Sequence, residues 1–303
     1  MPDLPDIILA AVPIYLVAML LEIGVGAVWG TARYETRDTL TSLAMALGFL
    51  GMGTLFGFVG IGVLRTVQVR WGLVDWGWSP WAFVLCFVLD DLRKYWLHRI
   101  QHERRWFWAA HVTHHSSQHY NFATALRNPP TVVLTQAFVF RIPLALLGFP
   151  VEMIAFQAGI NSVYQFFTHT DTVRDWPWPL GLVLVTPSHH RVHHATNARY
   201  LDANYAAVFI VWDRLFGTFV PESAEEPCRY GLVKNLGTFD PLRVTFHEWV
   251  AMGKDVLQPG LTASERLWYV LGPPGYSHDG SRETSAQLKA RHAAVEALGA
   301  QSS

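Results

Sequence analysis

Two stretches of this chain suit hydrocarbon better than water. Residues 7–29 are apolar apart from Glu22 and are interrupted only by Pro13, and residues 41–64 carry no charge. About 20 such residues cross a bilayer as a helix, because hydrocarbon offers no water and a helix satisfies its backbone groups internally. Gly48, Gly51, Gly53, Gly57 and Gly60 in the second stretch suit close helix packing. The wider composition agrees: 51% of the 303 residues are hydrophobic, 16% are charged, and 13 are Trp and 18 Phe. An ordinary soluble domain is less apolar. A net charge of −1 lacks the basic excess that a nucleic-acid partner needs. Cys86 and Cys228 form no CxxC pair, which argues against a zinc ribbon, an iron–sulfur site and a disulfide framework. The lead MPDLPD has no basic n-region, so the first apolar run is expected to be a retained anchor.

A third apolar run begins at residues 81–89 and turns polar at Asp90, Asp91, Arg93 and Lys94, where it is expected to leave the membrane. Residues 131–147 and 151–167 read as a helical hairpin around Gly148-Phe149-Pro150. Arg93, Lys94, Arg99, Arg104, Arg105 and Arg127 precede this hairpin, whereas its turn holds no basic residue. The positive-inside rule then puts the basic, histidine-rich side in the cytoplasm. Trp71, Trp76, Trp78 and Trp81 read as an interfacial belt. After Pro221 the chain becomes polar, with helix-like pieces at 240–257, 262–271 and 283–298. This tail either caps the histidine-rich side or lies on the membrane. The expected fold is an all-α integral membrane bundle of about four or five membrane helices, two of them a hairpin, with a cytosolic histidine-rich helical cap. Its expected parts are N-terminal membrane helices at 1–80, a catalytic domain at 81–222 and a cytosolic tail at 223–303. Only four of the 23 basic residues are lysine (Lys94, Lys234, Lys254 and Lys289), which points to a GC-rich genome and a bacterial inner membrane rather than endoplasmic reticulum.

The histidines narrow the function. Of 14, eleven fall between positions 98 and 194. His98 and His102 are spaced i, i+4, while His111, His114 and His115 are spaced i, i+3, i+4, as are His190, His193 and His194. Such spacings put rings on one helical face. Eight imidazoles grouped this way suit two metal ions drawn from iron, zinc, copper and nickel. Gln157, Asn161, Gln165 and His169 recur every four residues and draw a polar stripe down an apolar helix; a stripe of this kind inside a bilayer is a functional hypothesis by default. His169 is thus a ninth ligand or a group that orients one. Asp90, Asp91, His119 and His189 are candidate partners for the ligand rings. His247, His278 and His292 read as ordinary surface residues.

The segments HRIQHERRWFWAAHVTHHSSQHYNFATALRN, YQFFTHT and TPSHHRVHHATNARYLDANYAAVFIVWDRLFGTFVPE resemble the fatty acid hydroxylase/sterol desaturase superfamily of membrane di-iron enzymes. The resemblance covers about residues 90–222 and is nearest to the glyceryl-ether branch, from which HHATN and NYAA depart. It implies two non-haem iron ions, O2 as cosubstrate, and attack on an unactivated lipid C–H bond. By position, His98, His102, His111, His114, His115, His190, His193 and His194 inherit the iron-ligand role. It also implies a lipid substrate, be it an ether lipid, sterol, fatty acyl chain or lipid head group, and an external electron donor of tetrahydrobiopterin, cytochrome b5 or ferredoxin type. The chain has no HPGG segment, so no fused cytochrome b5 is expected. The soluble di-iron signature Glu-x-x-His is absent too, which leaves the all-histidine design.

A desaturase would use the same centre and remove a second hydrogen. A histidine-rich metal transporter is the competing reading from another class, but transport sites sit near the bilayer midplane, whereas these histidines collect at one face. A haem protein needs one or two axial ligands and leaves most of these rings unexplained.

Overall fold

The computed structural model describes residues 5–31 and 33–301, so residues 1–4 of the acidic lead lie outside it. Helix α1 (Ile7–Trp29) starts where the Asp6 carboxylate accepts from the N–H groups of Ile8 and Leu9, both at 3.0 Å. It stops at Gly30, whose φ of 67° continues no helix. Helix α2 (Thr36–Trp71) runs for 36 residues, about 54 Å at 1.5 Å per residue. That exceeds the hydrocarbon thickness. Its first turns, with Asp38, Thr41 and Ser42, are buried against protein, whereas Leu47, Leu55 and Phe58 further on are exposed. These two helices are long and apolar enough to cross a membrane.

Helix α3 (Pro80–Glu103) is capped by Ser79, begins with proline, and does not stop where it turns polar. It continues past Asp91 to carry His98 and His102. One extended residue, Arg104, separates it from α4 (Arg105–His115), and the two pack together.

The expected hairpin forms with one arm broken. Helix α7 (Val151–Thr168) is the regular second arm. The first arm is a short helix α5 (Phe122–Ala125), 3₁₀ turns at Pro130–Thr135 and Ala137–Arg141, and α6 (Ile142–Leu146), bent by 94°. The cause is local. Pro129 and Pro130 remove two N–H donors, Thr131, Val132 and Val133 are stiff β-branched residues, and Gln136 takes a left-handed φ of 51°. Counted as one span, the bent pair brings the membrane-capable segments to three among the described residues. The turn at Gly148 is as expected, and only glycine fits there: with φ at 97°, a Cβ would lie 1.7 Å from the carbonyl oxygen of Val74.

Helix α1 leans on α7 through stacked Tyr15 and Phe166 rings 4.0 Å apart. Glu22, the one acid in α1, is buried. It accepts from the Phe122 N–H at 2.9 Å and from the Tyr34 and Thr170 hydroxyls, which ties α1 to the chain that follows the α4 histidines and to the residue after His169.

Beyond short α8 (Leu180–Val183), α9 (Pro187–His194) and α10 (Val211–Leu215), the tail forms α11 (Pro241–Val256), α12 (Ala263–Leu271) and α13 (Ser285–Gln301). Helices α11 and α12 of the tail pack on α4. Arg105, buried at the start of α4, donates to Glu248 at 2.6 Å, to Asp255 at 2.7 Å and to the Tyr269 carbonyl at 3.4 Å. Both carboxylates keep some solvent, so Arg105→Ala is expected to cost about 2–3 kcal/mol. Limited proteolysis should then cut first in the segment between α10 and α11 that joins the tail to the rest of the chain; an unchanged digestion pattern would remove Arg105 as the anchor.

Candidate metal centre

Nine imidazoles from four elements meet in two groups. His98, His102, His111, His115 and His193 form one, and His114, His169, His190 and His194 the other; within each, one ligand atom per ring lies within 4.8 Å of all the rest. Eight of the rings are buried and His114 is half-buried. The sequence motifs do not map one to a group. On α4, His111 and His115 enter the first group and His114 the second; on α9, His190 and His194 enter the second and His193 the first. Helical geometry explains the split. At about 100° per residue, i+4 lies some 40° to one side of i and i+3 about 60° to the other. An i, i+4 pair therefore shares a pocket, and the third ring turns into the neighbouring one.

The nitrogens converge at ligand spacing. His98 Nε2 is 3.0 Å from His111 Nε2, which is 3.2 Å from His115 Nε2. In the second group His169 Nε2 is 3.2 Å from His114 Nε2 and 3.0 Å from His190 Nε2. Two ligands held at about 2.1 Å and a right angle on one ion are separated by about 3.0 Å. Nε2 of His102, His193 and His194 are buried and have no hydrogen-bond partner among the described residues. An unpaired buried polar atom costs about 1–3 kcal/mol. A cation facing these lone pairs removes that cost, so the donor set fits two imidazole-binding metal ions.

In four of the rings the opposite nitrogen is tied down, which fixes which nitrogen is free there, whereas Nδ1 of His114 and His190 has no hydrogen-bond partner among the described residues. His98 Nδ1 donates to the Tyr205 carbonyl at 2.7 Å, His193 Nδ1 to the Ala203 carbonyl at 2.9 Å and His169 Nδ1 to the Gln165 carbonyl at 2.7 Å. His102 Nδ1 lies 3.3 Å from the Asp202 carboxylate. Each such bond leaves Nε2 as the lone pair. Burial pushes His169 down to about 4 and holds His98, His111, His114, His115, His190, His193 and His194 well below the usual imidazole range. In the seven rings other than His169, repulsion from neighbouring imidazoles adds to burial. Neutral rings are the ligating form.

The turn at 202–205 presents three of these acceptors, and the sequence reading did not single it out. Asp202 and Asn204 have φ of 49° and 54°, a conformation that acidic and amide side chains tolerate. Asn204 secures the turn by donating to the carbonyls of His189 at 3.0 Å and Val220 at 2.8 Å. Asp213 accepts from the N–H groups of Tyr205 and Ala206, both at 2.8 Å. Aromatic rings wall the groups: Tyr205 and Trp108 beside His102 at 5.4 and 5.2 Å, and Tyr120 beside His194 at 5.2 Å. The signal in the sequence was DANY, a run of turn formers ending in an aromatic.

Several expected partners act elsewhere. Asp90 pairs with Arg93 at 2.6 Å. Asp91, fully buried, accepts from Asn161 Nδ2, Trp212 Nε1 and the N–H groups of Val208 and Phe209 at 2.9–3.0 Å, and from no ring. The orienting carboxylate is Asp202 instead, because α3 points Asp91 toward α7 rather than along its own axis to His98. His189 caps α9, its Nδ1 accepting from the Thr186 N–H at 3.2 Å. His119 enters the network through its carbonyl, which accepts from Ser117 and Thr124, both at 2.9 Å. The polar stripe runs as read: Gln157 donates to the Phe83 carbonyl at 3.0 Å, Asn161 to Asp91, and Gln165 to Asn161, ending at His169. His247, His278 and His292 belong to neither group. His292→Ala is therefore expected to leave metal content unchanged when measured by elemental analysis.

Residues 83–218 match the fatty acid hydroxylase family model. Over 247 residues the chain is 38% identical to an alkylglycerol monooxygenase of Homo sapiens, an alignment spanning 81% of this chain and 54% of the human protein. Over 257 residues it is 35% identical to an alkylglycerol monooxygenase of Caenorhabditis elegans, spanning 80% of this chain and 50% of that protein. Over 142 residues it is 32% identical to ornithine lipid hydroxylase OlsE of Rhizobium tropici, 46% of this chain and 43% of the relative. The chain thus spans about half the length of these alkylglycerol monooxygenases. No solved structure matches it.

Proposed function

With residues 83–218 belonging to the fatty acid hydroxylase family, we propose that the chain is an O2-dependent, non-haem di-iron membrane oxygenase that hydroxylates an unactivated lipid C–H bond, an ether lipid first. The observation that carries this is the convergence of nine imidazoles, eight of them buried, in two groups. His98, His102, His111, His115 and His193 would hold one iron, and His114, His169, His190 and His194 the other. Bound there, the metal pair supplies the redox chemistry that an inert C–H bond demands and side chains cannot provide.

The chain's own residues bind, orient and exclude water. The carbonyls of Ala203, Tyr205 and Gln165 and the Asp202 carboxylate hold ring orientation. Removing partners of this kind typically lowers metal affinity or activity about 10–100-fold. Tyr120, Trp108 and Tyr205 keep the space beside the rings apolar and exclude bulk water. Arg191 donates twice to Glu222 and to the carbonyls of Thr170 and Val173, fixing α9 against the segment that follows His169.

The two membrane-capable helices, with α3 and α7 as further inserted helices, would bring the lipid to this centre from the bilayer. Electrons would come from a separate donor at the face that carries the basic residues, read as cytoplasmic. The residues 81–222 would form the catalytic unit and 223–303 its cap. The relatives' names are those of a monooxygenase and a hydroxylase, which favours oxygen insertion over desaturation and lends nothing to transport. The test uses a 1-O-alkylglycerol and ¹⁸O2. Label retained in the oxidised lipid is expected; an unlabelled, unsaturated product would replace hydroxylation with desaturation.

A further inference from the structure

A second polar cluster lies upstream of the histidines and takes no part in the metal centre. Asp90 and Arg93 sit one turn apart on α3, their side chains 1% and 8% exposed. Arg141 ends the 3₁₀ turn Ala137–Arg141, which packs against α3. Lys94 is within electrostatic reach of Arg93, Arg141, Asp90 and Asp91, and also of His98 and His114. Three cations share the two carboxylates Asp90 and Asp91, and because the four donors on Asp91 are neutral its charge still counts, so one positive charge is left unmatched. Arg93 Nη1 and Arg141 Nε are buried and have no partner among the described residues, where Lys94 and Arg141 also make no ion pair; the one orphaned acceptor beside them is Asp90 Oδ2, so unpaired donors are in excess.

Burying like charges without a counter-charge is costly, and buried charges are as a rule paired. The missing group is therefore an anion. Its surroundings are apolar: Arg141 leads directly into Ile142, Leu144 and Ala145, which pack with Phe149 and Met153. An amphiphile, with its charge at the cations and its chain in this apolar layer, suits such a place better than a free ion. Arg93 and Lys94 also precede His98 by five and four residues on one helix, about 6–8 Å of rise.

Building on the oxygenase reading, we propose that Arg93, Lys94 and Arg141 bind the anionic head group of the lipid substrate. An anion held there sets a carbon only a few bonds from the head group, rather than the far end of the chain, against the metal centre. Arginine forks suit phosphate and carboxylate oxygens, and Lys94 adds a point charge.

The test compares 1-O-hexadecylglycerol, its 3-phosphate and inorganic phosphate as ligands of the iron-loaded full chain in a non-ionic detergent, read by thermal shift and by intrinsic Trp fluorescence. The phosphorylated ether is expected to bind about ten- to a hundredfold tighter than the neutral one, the worth of one or two charge-assisted bonds. Inorganic phosphate should compete weakly. Arg141→Gln and Lys94→Met, tested separately, should each collapse the ratio of the two affinities. Neither should lower the melting temperature without lipid, because each removes like-charge repulsion. Equal affinity for the two ethers, a ratio preserved in both variants, or inorganic phosphate binding as tightly as the lipid would each overturn the head-group site. The oxygenase reading fails separately, if ¹⁸O enters neither lipid whatever their affinities.

Discussion

Replacing His194 with alanine is expected to lower lipid hydroxylation at least about a thousandfold, roughly 4 kcal/mol of barrier, while the protein still inserts and folds. His194 Nε2 is buried, without a hydrogen-bond partner among the described residues, in the second histidine group beside His114, His169 and His190. Its loss leaves three rings where four converged, so iron should fall from about two to about one per chain. His102→Ala and His115→Ala remove rings of the first group and are expected to cost a similar factor. The check is ¹⁸O2 product analysis alongside iron determination on the same membranes. Near-normal turnover in two of the three variants would mean that these rings are not ligands.

The second large effect is on stability. Asp91 accepts four hydrogen bonds from two separate parts of the chain: Asn161 on α7, and the stretch 208–212 through the backbone of Val208 and Phe209 and the Trp212 indole. Asp91→Ala leaves four buried donors unpaired, at an expected cost of about 3–5 kcal/mol. The position matters beyond stability. Asp91 lies two turns before His98 on α3, Asn161 two turns before His169 on α7, and Val208 three residues after Tyr205, whose carbonyl holds His98. One carboxylate thus sets the register of the elements that bring ligands to both groups. The melting temperature in detergent should drop and iron should be lost. The swap Asp91→Asn with Asn161→Asp restores one of the bonds and should recover part of both. Full stability in Asp91→Ala would show that the donors find water instead.

Much of the site was legible because metal ligation uses side chains whose spacing is local. HxxxH and the two HxxHH motifs lie on helices, and an i, i+4 repeat survives whatever the helices pack against. The four-residue stripe from Gln157 to His169 was readable for the same reason. Which ring enters which group was not, because that depends on how α3, α4, α7 and α9 cross. Asp202 lies 100 residues from the ring it orients, and a contact of that kind leaves no periodic trace. Asp91 looked like a partner of His98 by proximity along the chain, yet its side chain leaves the helix toward α7. The broken arm before Gly148 misled in another way. Its composition is that of a span, and its hydrophobic run hides the prolines and β-branched residues that deny it a regular helix. The long helices α1 and α2 were plain, since solvation by lipid depends on composition more than on neighbours.

Two redox metal ions held by histidines from four elements would leave a signature in metal quantification and Mössbauer spectroscopy on the purified full chain. About two non-haem iron ions per chain in nitrogen-rich, all-histidine sites are expected, with no Soret band. A single iron, a haem spectrum, or zinc supporting full activity would contradict a di-iron centre.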